Sequence, residues 1–176
     1  MKRADFEHVV RAAGAILGTD EILVIGSQAL HASVKSSLPA EALRSIEVDV
    51  ATLGADAEFA ADLIDGSIGE LSMFHGTFGY YAQGVVESTA VLPTGWRDRL
   101  IRFESPATNG VVAWCLEPHD LWISKAIANR PKDRDFCSAL KHAKTVEPDV
   151  LEDRLMAVEE LDETQRAGVL ALIRAD

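Results

Sequence analysis

The chain has 176 residues, 48 % hydrophobic and 26 % charged, a length that suits one domain, or one domain with a helical appendage, around a real core. Asp and Glu outnumber Lys and Arg by 28 to 17, for a formal net charge of −11. Such a protein repels a duplex or an anionic membrane unless its basic residues cluster, which excludes a generally cationic nucleic-acid coat.

Phe6, Val9, Val10, Ala13, Ile16 and Leu17 recur at helical spacing, so 4–17 is predicted to be an amphipathic helix that Gly18 ends. The apolar run 22–25 reads as a buried strand. Gly26-Ser27 then opens a second helix reaching about Val34, and Pro39 falls in the loop that follows. Over 46–51 apolar and acidic residues alternate, the period of a strand whose two faces see different surroundings. A helix over 56–64 is ended by Gly66 and Gly69. The segments 78–86, 100–103 and 111–115, rich in aromatic and β-branched residues, complete a mixed sheet. From Glu117 the character changes, with helices over 119–129, 132–144, 149–160 and 163–174, separated by Pro131, Pro148 and a short acidic stretch. The predicted fold class is α/β (α+β): an α/β half, 1–116, followed by an all-helical half, 117–176.

Two cysteines, Cys115 and Cys137, are too few for a disulfide framework, and no C-x-x-C spacing points to structural zinc. Segment 1–18 is interrupted by Arg11 and lacks a signal-peptide cleavage region, and the longest uncharged run, 71–86, is too short and polar to span a bilayer. A soluble, cytoplasmic protein with no membrane partner is expected. The sequence has no G-x-S-x-G elbow, Walker loop or H-E-x-x-H, which argues against hydrolase, P-loop and zincin chemistry.

Three constellations could carry chemistry. At the corner after the first strand, Gly26 lets a phosphate approach the backbone, a helix start offers free N–H groups, and Ser27 adds a hydroxyl. The same dipeptide also serves as an ordinary strand-to-helix turn. On the next strand Glu47 and Asp49, two apart, project from one face while Ile46, Val48 and Val50 point into the core. Carboxylates that close repel each other unless a cation sits between them, and magnesium, which takes a few carboxylates plus substrate phosphates, is the natural occupant; an exposed acidic strand face is the alternative. Third, Lys125 lies within the apolar helix Leu121-Trp122-Ile123, where a lysine must snorkel or meet an anion. Pro131 breaks that helix and brings Arg130 and Lys132 round beside it. From Lys125 to Lys144, six basic residues face two acidic ones, a local charge of +4 in a remainder of −15. That island suits a polyphosphate or an RNA end, or is a solvated helix hairpin. His75, Tyr80, Tyr81 and Trp96 are weighed as substrate contacts against plain packing, and Arg97, Arg99 and Arg102 as an extension of the basic surface.

Val24-Ile25-Gly26-Ser27-Gln28, Ser45-Ile46-Glu47-Val48-Asp49, Ile68-Gly69-Glu70-Leu71-Ser72, Phe74-His75, Gly79-Tyr80-Tyr81, Leu92-Pro93, Gly95-Trp96 and Lys125 through Lys132-Asp133 run nearly end to end. In them the chain resembles the minimal nucleotidyltransferase fold of the DNA polymerase beta superfamily. More closely, it resembles an uncharacterised bacterial family there, related to AbiEii-type toxins of toxin–antitoxin systems. The resemblance implies a mixed sheet flanked by helices and followed by a C-terminal helical bundle. It implies Gly26 and Ser27 on a nucleoside triphosphate, and Glu47 and Asp49 as catalytic residues on Mg2+ or Mn2+. Lys125, Arg130, Lys132 and Asp133 would form the basic-helix motif, with Lys125 and Asp133 catalytic. Transfer would be to an RNA end such as that of tRNA, or to a protein hydroxyl, with a cognate antitoxin or toxin as partner. The sequence departs from the superfamily pattern in carrying Glu at 47, where many members have Asp, and in the long segment from Ser27 to Glu47. It also shows no evident third carboxylate; Glu87, Asp98, Asp133 and Asp135 are the candidates. A nucleotide-binding or protein-interaction module without activity, antitoxin-like, is the alternative.

Overall fold

The computed structural model describes residues 1–34, 38, 40–54 and 56–175, with no side-chain description for 42 and 43; Pro39 and the loop predicted around it lie outside these. Helix α1 (Arg3–Leu17) buries Phe6, Val9, Val10 and Ala13 and closes on Gly18, whose φ of 64° is left-handed. Strand β1 (Glu21–Val24) follows, then a 3-10 helix (Ser27–Ala32), α2 (Ala40–Arg44) and β2 (Glu47–Ala51). Next come α3 (Ala57–Ile68), α4 (Met73–Phe78) and β3 (Tyr81–Gly84). β4 (Ile101–Phe103) and β5 (Val112–Cys115) complete a five-stranded sheet in the order β3-β2-β1-β5-β4. β1 runs antiparallel to β2 and parallel to β5, β2 runs parallel to β3, and β4 runs antiparallel to β5. The sheet is mixed, as expected.

Helices α5 (Pro118–Ala128), α6 (Pro131–His142), α7 (Pro148–Met156) and α8 (Glu163–Arg174) form the C-terminal bundle. α5 is its axis, with Leu121, Trp122 and Ile123 fully buried. It packs on α6, α7 and α8 and also on the 3-10 helix after β1, while α6 packs on α2. Buried residues from Phe6 to Ile173 make one continuous hydrophobic cluster. The bundle is thereby seated against the end of the sheet where Glu47 begins β2.

Five local predictions are corrected. The element after Gly26-Ser27 is a six-residue 3-10 turn, not an α-helix to Val34, so a helix macrodipole contributes nothing at Ser27. The segment 78–86 divides: Ser72 accepts a hydrogen bond from the His75 amide (3.1 Å), starting α4, and Gly79 (φ 76°) stops it, so Phe78 is helical and only Tyr81–Gly84 is strand. α3 continues through Gly66 to Ile68, and α7 stops at Met156. Ile46 precedes β2 and is half exposed, while Val48 and Val50 are buried as predicted. No helix among the described residues is long and apolar enough to cross a membrane.

Candidate active site

Alternation along β2 places Glu47 and Asp49 on the face opposite Val48 and Val50. They look into a cavity of about 310 Å³ whose walls include Gly26, Gln83, Ser124, Lys125, Arg130 and Lys132. A second cavity of about 310 Å³ adjoins it across Glu47, Lys125 and Lys132, and is lined by Ser27, Arg44 and Phe136. Three sequence-separated segments thus meet in one place: the β1 corner, the acidic strand and the α5–α6 hairpin.

Gly26 is required there for space rather than for backbone conformation. Its φ is −98°, open to any residue, but a Cβ at 26 would lie 1.5 Å from Asp49 Oδ2. The room beside this glycine is therefore filled by the Asp49 carboxylate, not left for a phosphate on the backbone. Ser27 is half-buried in the adjoining cavity, where its Oγ accepts a bond from Gln28 Nε2 (3.4 Å) and its own proton stays available to a ligand.

The hairpin is set by local chemistry. Asn129, at φ 51°, caps α5 by donating its amide to the Lys125 carbonyl (3.0 Å), and Pro131 starts α6. Trp122 Nε1 donates to the Cys137 carbonyl (3.0 Å), fastening the two helices. Lys125 Nζ then lies 3.5 Å from Asp133 Oδ1, and Arg130 Nε 2.5 Å from Asp133 Oδ2. Lys132 Nζ reaches across the cavity to within 3.6 Å of Glu47 Oε1. On the other carboxylate oxygen, the Tyr81 hydroxyl donates to Glu47 Oε2 at 3.0 Å.

The titration behaviour follows. Burial pushes the Asp49 carboxyl above its usual range, with Lys125, Lys132 and Arg130 opposing the shift and Glu47 reinforcing it. Burial also works upward on Asp133, but the Arg130 hydrogen bond and the charges of Lys125 and Arg130 outweigh it and hold Asp133 low. Tyr81 is pushed up to about 12 by burial and by its bond to Glu47, so it stays a donor.

A family model described as "Nucleotidyltransferase of unknown function (DUF6036)" matches residues 4–171. The chain belongs to this family. No curated protein and no solved structure matches it.

For a nucleotidyltransferase, the predicted Gly26, Ser27, Glu47, Asp49, Lys125, Arg130 and Lys132 all line these two cavities. Asp133, predicted as catalytic, is 2 % exposed and engaged by two cations, so its observed contacts orient Lys125 and Arg130. Of the other sequence candidates, Asp135 lines the second cavity, and those that follow lie outside both linings. Glu87 sits in a short 3-10 turn and pairs with Arg97, Arg99 pairs with Asp120, and Arg102 with Glu104, so these arginines extend no basic surface. His75 Nδ1 accepts the Leu71 amide (3.1 Å) while its ring packs on Tyr81. Tyr80 bonds His8 (2.8 Å), and Trp96 lies under the Arg97 guanidinium. Among the described residues no three of His, Cys, Asp and Glu gather as a metal cage. Gln83 and Ser124, which carry no functional signal of their own in the sequence, also line the cavity, and Tyr81 enters the site through its hydroxyl rather than its ring. The alternation of Tyr81 and Gln83 was visible in the sequence, but their facing Glu47 and Asp49 depends on strand pairing.

Proposed function

We propose that this site binds a nucleoside triphosphate with one or more divalent cations, Mg2+ or Mn2+, and moves its nucleotidyl group to a hydroxyl of an RNA end or a protein. The observation that carries the reading is the facing of Glu47 and Asp49 with Lys125, Arg130 and Lys132 across one open cavity. The donor set fits a magnesium ion, which is commonly held by one or two carboxylates plus substrate phosphates. Glu47 and Asp49 would hold it, and when bound it supplies alignment and charge neutralisation on the phosphates.

The remaining work falls to side chains of this chain. Lys125, Arg130 and Lys132 neutralise the phosphates and the departing pyrophosphate, and Ser27 donates its hydroxyl proton to a phosphate oxygen. The acceptor oxygen forms a bond to the α-phosphorus as the α–β bridging P–O bond breaks. Pyrophosphate carries off that electron pair, and the acceptor proton passes to solvent. The likeness to AbiEii-type toxins supports a toxin role with a cognate antitoxin.

Incubating the purified chain with each labelled NTP, Mg2+, total RNA and cell protein should label one acceptor. Asp49→Ala should lower labelling at least about 100-fold, the scale of lost transition-state charge stabilisation, and remove toxicity on expression. Absence of both transfer and Mg2+-dependent nucleotide binding overturns the reading. A second reading, a nucleotide-binding module without turnover in an antitoxin-like role, is favoured by the lack of a third acid beside Glu47 and Asp49 among the described residues. Calorimetry showing Mg2+-dependent nucleotide binding with no transfer would select it.

A further inference from the structure

Two-metal phosphoryl transfer clamps its cations roughly 3.5–4 Å apart, each held by carboxylates. Whether this site can do so depends on what surrounds Asp49 on the sheet. On one side the chain just past β1 continues the pairing through Ile25, whose amide donates to the Asp49 carbonyl, and Gly26, which has no side chain, lies against the Asp49 carboxylate. On the other, β3 sets Tyr81 opposite Glu47 and Gln83 opposite Asp49, across a strand spacing of roughly 4.8 Å. Both lie on the acidic side of the sheet: Tyr81 bonds Glu47, and Gln83 lines the cavity wall with Asp49. The position beside Asp49 that a third acid would take therefore carries a neutral carboxamide.

The helical side offers no substitute: Asp135 lines the adjoining cavity but not this one, and among the described residues no third acid gathers with Glu47 and Asp49. Asp133 is spent on Lys125 and Arg130, and Glu87 on Arg97. Lys132 already stands 3.6 Å from Glu47, a positive charge beside one of the two available carboxylates. With Glu47 and Asp49 both on one dication beside the triphosphate, and Lys132 facing Glu47, no carboxylate is left over for a second.

Building on the nucleotidyltransferase reading, we infer that the site holds a single divalent cation per bound nucleotide, and that Gln83 is the residue that limits it to one. Gln83 is thus a determinant of metal stoichiometry rather than of fold. Its side chain is exposed on an edge strand, so replacing it leaves the core intact.

The test is a Mn2+ titration of the full chain saturated with an α,β-methylene NTP analogue, with free Mn2+ counted by electron paramagnetic resonance and bound nucleotide measured in the same samples. The expected result is one Mn2+ per bound nucleotide in the wild type and two in Gln83→Asp, with Gln83→Glu as the longer-armed second variant. Two Mn2+ in the wild type would overturn the inference while leaving nucleotide binding, and the proposed activity, standing. So would a count of one in both folded variants. Nucleotide binding that ignores Mn2+ would overturn the inference and the functional reading together.

Discussion

Asp120 and Asp49 are both carboxylates at the boundary between sheet and helices, and their surroundings are opposite. Asp120, on α5, is fully buried, gripped by Arg99 through Nε at 2.8 Å and a second nitrogen at 3.0 Å, with Arg154 Nε at 3.2 Å. Its charge is closed on every side and ties the approach to β4 and helix α7 to the bundle axis. Asp49 has Gly26 at its back, a second acid beside it, and cations only across an open cavity. A closed cluster of charge holds a fold together; an open one of mixed sign is free to exchange its partners for a substrate's.

Mutation should separate the two clusters. Asp120→Ala leaves two guanidiniums without their counterion and is expected to cost about 3–5 kcal/mol, read as a fall in the urea midpoint, with nucleotide affinity of the folded fraction unchanged. Should affinity fall with the fold intact, the clusters are coupled and the contrast fails. Gly26→Ala drives a methyl into the Asp49 carboxylate and should cost about 1–3 kcal/mol as well as weakening metal-dependent nucleotide binding. In an Asp49→Ala background that stability cost should largely vanish, a coupling that a double-mutant cycle measures.

Smaller effects sharpen the picture. Tyr81→Phe removes the donor to Glu47 and should weaken metal-dependent binding by about 1 kcal/mol, some five-fold, with little change in stability. His31 is buried against the Phe6 ring, and burial lowers its pKa from 6.5 to about 4. Between those values the unfolded chain binds a proton that the folded chain refuses, so stability falls as pH drops from about 6.5 toward 4. The loss should be on the order of 1 kcal/mol once solvent screening is allowed for, and His31→Phe should remove it from a pH series of urea melts.

Much of the site could be read from the chain because its signals are short-range. The alternation Glu47-Val48-Asp49-Val50 is a property of strand geometry, and Asn129 and Pro131 turn one helix into the next whatever surrounds them. Where local rules compete, a cap outweighs propensity: a serine cap and a left-handed Gly79 place Phe78, at the start of the expected strand, in α4. Arg99 gave no sign of its destination, since Asp120 lies 21 residues away on a helix that only packing brings near.

Local signals along the chain set the mixed α/β architecture with its helical tail, the pairing of Glu47 and Asp49 on one face, and the grouping of Lys125, Arg130 and Lys132. These follow from the period of a strand, the period of a helix and the breaks at Gly and Pro, all set within a few residues. Long-range packing sets the rest: Gly26 must be bare because Asp49 lies against it, Asp133 is taken up by Lys125 and Arg130, and Asp49 has Gln83 for its neighbour. Strand order and helix docking are choices among many long-range pairings, and the burial of the whole core, not any local pattern, selects one.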